Sequence, residues 1–209
     1  TLRSYHKKLW SKDLPNGKVF LLDDSTKNTY LHHNSDLGEF FLSSDSVIPT
    51  FTMWKRLAPI LDQISQNDID YFLHLAYTMG GMMIFPANRV GGKATINGAR
   101  GFSRKICDRL DLTLECIRLY YIKQPSPLYA TLILYHNFFE LFETFQGYID
   151  FFLLQDLVSD DYSSVKFLAS FDNFTTSAVP TSLSDYVSYR SNTLNFINSR
   201  NKRIQEYSR

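Results

Sequence analysis

Between Ser103 and Tyr121 apolar side chains recur at Ile106, Leu110, Leu114, Ile117 and Tyr121, at steps of three or four residues. An α-helix brings such positions onto one face. The other side carries Arg104, Asp108, Asp111, Glu115 and Arg118, so the segment predicts an amphipathic helix with one buried stripe and one ion-paired, solvated side. A chain with such a helix must supply an apolar surface to receive it. Residues 128–158 do so: Tyr135, Phe138, Phe139, Phe142, Phe145, Tyr148, Phe151 and Phe152 repeat at spacings of three and four. They predict a helical, aromatic core with a break near Gly147. Aromatic residues reach 15% of the 209 residues, and each buries a large area, which is ample for one core.

The remaining chain reads as short strands and capped helices. KVFLL (18–22) and NTYLH (28–32) flank the polar DDSTK and predict a hairpin, preceded by a turn at Pro15-Asn16-Gly17. Phe40–Leu42 predicts a third strand, ending at a polar turn or cap cluster, Ser43-Ser44-Asp45-Ser46. A helix starting near Thr50 or Thr52 should kink or end at Pro59. Ser65-Gln66-Asn67-Asp68 has the spacing of a capping box, and Ile69, Phe72, Leu73 and Ala76 continue it as a helix to about Met79, stopped by Gly80-Gly81. MMIF (82–85) and KATIN (93–97) read as a second β-ribbon. VKFLASF (165–171) reads as a strand, and Ser182 with Asp185 opens a C-terminal helix. The expected fold is α+β: a mostly helical single domain over residues 1–209 with short antiparallel β-ribbons, β-rich over 1–50 and mainly helical over 51–209.

Net charge is +1, so any attraction to a polyanion must come from a local patch. No run approaches the 18 or more apolar residues of a membrane span, and the charged start TLRSYHKKLW has no apolar stretch after it. No membrane partner is expected. Cys107 and Cys116 lie nine residues apart, about 13–14 Å along a single helix, too far to bridge. The chain therefore reads as reduced and cytoplasmic. His32 and His33 would point to opposite faces of a strand, and no Cys/His spacing suits a metal. Neither a metal nor a cofactor is implied.

The best candidate site is the glycine-loosened basic segment. From Pro86 to Ile106 there are five cations, Arg89, Lys93, Arg100, Arg104 and Lys105, and no carboxylate. Arg89, Arg100, Arg104 and Lys105, with Asn97 and Ser103 as neutral donors, form a candidate anion site at a helix start. The spacing is neither a P-loop nor a dinucleotide fingerprint. The bland reading is a solvated hairpin, or pairing of these cations with the acidic 140–161 segment. No reaction type follows. Two readings stand: a phosphate-ligand protein that binds or processes a nucleotide or nucleic acid, and a non-enzymatic interaction protein that self-associates as a homo-oligomer.

The phrases YHKKLWSK (5–12), LGEFFLSSDS (37–46), GGMMIFP (80–86), TINGARGFSRKICDRLDLTLECIR (95–118) and GYIDFFLLQDLV (147–158) resemble a bacterial domain-of-unknown-function family. The resemblance spans most of the chain and implies one intact bacterial domain. It carries no activity and no residue roles. Thiol titration of denatured, unreduced protein is expected to count two free thiols per chain; a bridged pair would overturn the helix assignment around both cysteines.

Overall fold

A computed structural model describes residues 2–24 and 30–208. It opens with a helix, α1 (Leu2–Trp10), where a β-rich start was expected. His6, Leu9 and Trp10 lie on its buried side. A hairpin follows, β1 (Lys12–Asp13) with β2 (Val19–Phe20). Its turn is Pro15-Asn16-Gly17, closed by Leu14 N–H on Lys18 O, with Gly17 at φ +76°, a left-handed conformation that glycine tolerates. The turn signal was therefore sound, but it returns Val19–Phe20 onto β1, and it is Asp23–Asp24 that pair with Leu31–His32. β3 (Asp23–Asp24) pairs with β4 (Leu31–Ser35), which pairs with β5 (Gly38–Ser46). The expected hairpin arm at 28–29 and most of its DDSTK turn lie outside the described residues. Ser43–Ser46 are not a turn: they complete β5 and pair with β6 (Met82–Pro86), closing an antiparallel sheet of order β3-β4-β5-β6.

Helices cover this sheet. A 3-10 turn, Lys55–Leu57, leads into the short α2 (Ala58–Leu61), with Pro59 in its first turn. Proline there starts the helix because its missing N–H would be unpaired anyway. In α3 (Gln66–Ala76), Ser65 Oγ accepts from Asp68 N, the expected cap. KATIN is not a strand: Thr95 Oγ1 accepts from Gly98 N and caps α4 (Ile96–Phe102). The amphipathic helix, α5 (Leu110–Tyr121), begins seven residues later than predicted. Cys107 and Asp108 precede it with φ of +49° and +60°, so only Cys116 is helical. Both cysteines are buried and free.

The aromatic segment forms α6 (Tyr129–Leu134), α7 (His136–Glu140) and α8 (Phe145–Phe152), broken at Tyr135 and again at 141–144. Gly147 is not the break; Thr144 Oγ1 caps it inside the first turn of α8. Residues 165–171 contribute only one isolated bridge, Val158 to Val165. Ser182 caps α9 (Leu183–Tyr207), as its spacing with Asp185 predicted. One hydrophobic cluster runs from Leu9 to Ile204. Along α9, Tyr186 and Tyr189 hydroxyls reach the carbonyls of Thr50 and Pro49 at 3.1 and 2.9 Å, and Arg190 pairs with Asp68 of α3. Among the described residues no helix is long and apolar enough to cross a membrane.

The predicted stripe is buried: Leu114 and Ile117 of α5 have no exposed surface and Leu110 has 1%, and Ile106, which precedes the helix, has none. Leu114→Ala is expected to destabilise by about 2–5 kcal/mol through lost burial and a residual cavity. A denaturant melt showing a loss below about 0.5 kcal/mol would place the core elsewhere.

Candidate functional site

Arg100 leaves α4 toward the interior and is fully buried. Its Nε donates to Thr113 Oγ1 at 2.9 Å, one terminal nitrogen to Asn97 Oδ1 at 3.3 Å, and the other to Asp108 O at 2.6 Å. In return Arg100 O accepts from Asp108 N at 3.3 Å, so the guanidinium locks the left-handed turn at 107–108. Two carboxylates complete the cluster, Asp45 at 3.7 Å and Asp108 at 4.0 Å. These distances give charge compensation without good hydrogen bonds. Asn97 Nδ2 also donates to Ser43 Oγ at 3.2 Å, tying α4 to β5. Burial pushes the Asp45 and Asp108 carboxyls up, and Arg100 only partly opposes it.

The six predicted site residues therefore separate. Asn97 and Arg100 face inward and satisfy each other. Ser103 closes α4, and its Oγ accepts from Lys105 N at 3.3 Å. Arg89, Arg104 and Lys105 are exposed. The helix after the basic loop is the seven-residue α4, and Arg100 does not share a solvent-filled hollow with Arg104 and Lys105. The acidic 140–161 segment does not supply Arg100's partners either; β5 and the 103–113 segment do.

Two exposed apolar side chains lie near cations in the sequence. Phe102 is 87% exposed and Met53 90%. Arg56 stacks 4.8 Å over the Trp54 ring and lies close enough to the Cys107 thiol to offset part of the upward push that burial gives it. Among the described residues, none of Lys55, Arg56, Arg89, Lys93, Arg104 and Lys105 has a carboxylate within 4.0 Å.

Sequence reasoning missed the second polar centre. Arg109 precedes α5 and donates through Nε to Asp111 Oδ1 at 3.1 Å, through a terminal nitrogen to Asp111 Oδ2, and to Ala178 O at 3.2 Å. Asp111 Oδ2 also accepts from Leu168 N at 2.9 Å. Asp111 and Glu115 were expected on a solvated side, but both are buried. The Glu115–Arg118 pair is present, with hydrogen bonds of 2.8 and 2.7 Å, whereas Arg104 lies off the helix and pairs with none of them. The i, i+2 step from Arg109 to Asp111 gave no periodic signal, because only tertiary packing against 168–178 buries it.

His6 lies against the opposite face of β5 from Arg100. Trp10 Nε1 can only donate, and it donates to His6 Nδ1 at 2.9 Å. A neutral ring must then carry its proton on Nε2 and donate to Ser44 Oγ at 2.9 Å. His6 therefore does not act as a base toward the Ser44 hydroxyl, and the serine-rich strand holds no nucleophile–base pair there. His32 and His33 do point to opposite faces: His32 stacks on Phe41 and His33 on Phe20, each at 4.4 Å.

With this geometry in view, the whole sequence can be placed. The chain belongs to DUF6994. That family is described only as a family of unknown function, and the match covers residues 1–204. No curated protein and no solved structure matches the chain.

Burial, then the charge of Arg200, pushes the His6 pKa down to about 4 from 6.5. Between those values the unfolded chain binds more protons, so stability is lost as pH falls through this window. From pH 7 to 4.5 this DUF6994 protein should lose about 2 kcal/mol at this group. His6→Gln should remove that share of the dependence in denaturant melts at the two pH values. Identical pH slopes in both proteins would show that folding does not lower the His6 pKa.

Proposed function

We propose that this DUF6994 protein is a non-catalytic binding module for phosphodiester chains, engaging single-stranded nucleic acid through the exposed residues Phe102, Arg104 and Lys105. One observation carries the reading: Phe102, 87% exposed, stands beside Arg104 and Lys105, neither of which has a carboxylate partner among the described residues. A free aromatic face next to free cations suits an unpaired base and its phosphate. With a net charge of +1, affinity must come from this patch and not from the chain as a whole. Arg100 and Asn97 serve as the scaffold that holds α4 against β5.

Fluorescence anisotropy with a labelled single-stranded oligonucleotide at low salt tests the proposal. Phe102→Ala is expected to weaken binding by roughly 5- to 100-fold, the range for one stacked base. Arg104→Ala should weaken it across all sequences and reduce the salt slope by about one. Both positions are exposed, so melting temperature should hold. No binding at low salt, or equal binding by the Phe102→Ala protein, overturns the proposal. If the wild type instead forms a dimer that Phe102→Ala dissociates in sedimentation runs, the surface is a self-association face.

A further inference from the structure

A second site, independent of the basic surface, lies where α5 ends against α6 and α7. A cavity of about 300 Å³ there is lined by Tyr120, Tyr121, Lys123, Tyr129, Glu140 and Glu143. Its shape follows from the end of α5. Gln124 N donates to Leu119 O at 2.8 Å and Lys123 N to Tyr120 O at 3.0 Å, with Lys123 at φ +56°. This is a Schellman ending with lysine in the left-handed position that usually holds glycine. It turns the chain sharply and leaves the last aromatic residues of α5 facing the opening. On the other wall Glu143, at φ +61°, closes the turn after α7 by donating to Glu140 O at 3.1 Å.

The rings are set as walls. Tyr120 stands 5.5 Å from Tyr121 at 75° and 6.5 Å from Tyr129 at 50°. The Tyr121 hydroxyl is committed to Phe139 O at 2.7 Å, which fixes that ring. All three tyrosines are half-buried. Glu140 and Glu143 are exposed and, among the described residues, have no cation within 4.0 Å. Glu140 lies close enough to add to the effect of burial in raising the Tyr120 pKa. Two carboxylates against one lysine leave the lining at −1, the complement of a monocation. The same chain already holds an ammonium this way: Lys12 Nζ lies 4.4, 4.7 and 5.3 Å from the Tyr207, Phe151 and Trp10 rings.

We propose that this cavity binds an alkylated ammonium head group, with the tyrosine rings around the cation and Glu140 and Glu143 at its rim. Ring faces attract a cation but offer no hydrogen-bond acceptors in the number a bare ammonium needs. An alkylated nitrogen has no N–H groups to satisfy, or fewer, and loses less on leaving water. The head group could arrive as a free small molecule or on a methylated lysine side chain.

Calorimetric titration separates these cases. The probes are choline, its uncharged isostere 3,3-dimethylbutan-1-ol, and a short peptide carrying trimethyllysine. Choline should bind and the isostere should not. Tyr129→Leu, which keeps the apolar contact and removes the π face, should weaken choline roughly tenfold. Glu140→Gln, at an exposed position, should also weaken it and carries the test if the Tyr129 variant does not fold. Lys123→Gly removes the competing charge and the backbone strain, so it should bind more tightly without loss of stability. A peptide binding at least ten times better than choline assigns the site to a protein tail; equal affinity assigns it to the free cation. Absence of choline binding overturns the proposal. So does isostere binding equal to choline, or choline binding that neither Tyr129→Leu nor Glu140→Gln alters.

Discussion

Arg200 is the interaction that organises this fold. Its guanidinium is fully buried and donates to Gly80 O at 3.0 Å, Met82 O at 2.9 Å and Phe152 O at 3.0 Å. Those carbonyls belong to the turn after α3, the start of β6 and the end of α8. No carboxylate lies within 4.0 Å of it among the described residues, so oriented backbone dipoles hold the charge. Burial pushes the Arg200 pKa down to about 9, against Tyr148 and Asp156 acting in the other direction. Asn201 continues the joint, accepting from Gly80 N at 2.7 Å and donating to Thr78 Oγ1 at 2.8 Å. Gly80 is required for this approach: a Cβ there would stand 2.6 Å from Ile197 O. The positive charge reaches further, helping burial lower the His6 and Lys12 pKa values. Removing the side chain would therefore loosen α9 from the sheet and unbind three carbonyls at once.

Arg100 and Arg109 repeat the device with different compensation. Arg109 has a carboxylate inside the core, Asp111, which also holds Leu168 N. Arg100 has two carboxylates only at the rim, Asp45 and Asp108, whose side chains are 42% and 44% exposed. Arg200 has none. In each case the planar fork of five donors joins segments that no single strand or helix could connect. A lysine has three donors from one point and could not bridge carbonyls set around a plane. These arginines act as cross-links through the polar part of an otherwise aromatic core.

Helix caps and the apolar stripe of α5 survived, and readings that depended on distant partners did not. Ser65 and Ser182 cap α3 and α9 because a cap needs only residues within one turn. The stripe of α5 was legible for the same reason, although its start was misplaced by the left-handed pair at Cys107 and Asp108. Ser43–Ser46 looked like a turn because short polar side chains favour turns. They are strand because β6 pairs with them and because His6, Asn97 and Arg100 satisfy Ser44, Ser43 and Asp45 from outside the strand. α1 was not expected although His6, Leu9 and Trp10 have helical spacing; the face covers little more than one turn, and His6 joins it only through its bonds to Trp10 and Ser44. Arg100 could not be placed from sequence at all. Its partners lie at 45, 97, 108 and 113, and nothing in a cationic side chain states that it will be buried.

The distribution of cations follows from the fold. A near-neutral chain with 22 lysines and arginines and 21 carboxylates could have paired nearly all of them at the surface. Instead three arginines are committed inside, and the basic run from Arg89 to Lys105 is divided by α4 into one inward residue and several outward ones. The division separates two roles that the sequence places side by side. Loss of Arg100 would strip Asp108 and Thr113 of their donor and leave Asp45 without its counter-charge, so any change in binding would be confounded with a change in fold. Phe102, Arg104 and Lys105 carry no such duty. Their side chains reach into solvent at and just after the end of a helix that Arg100 has already fixed, so substitutions there leave the core beneath untouched.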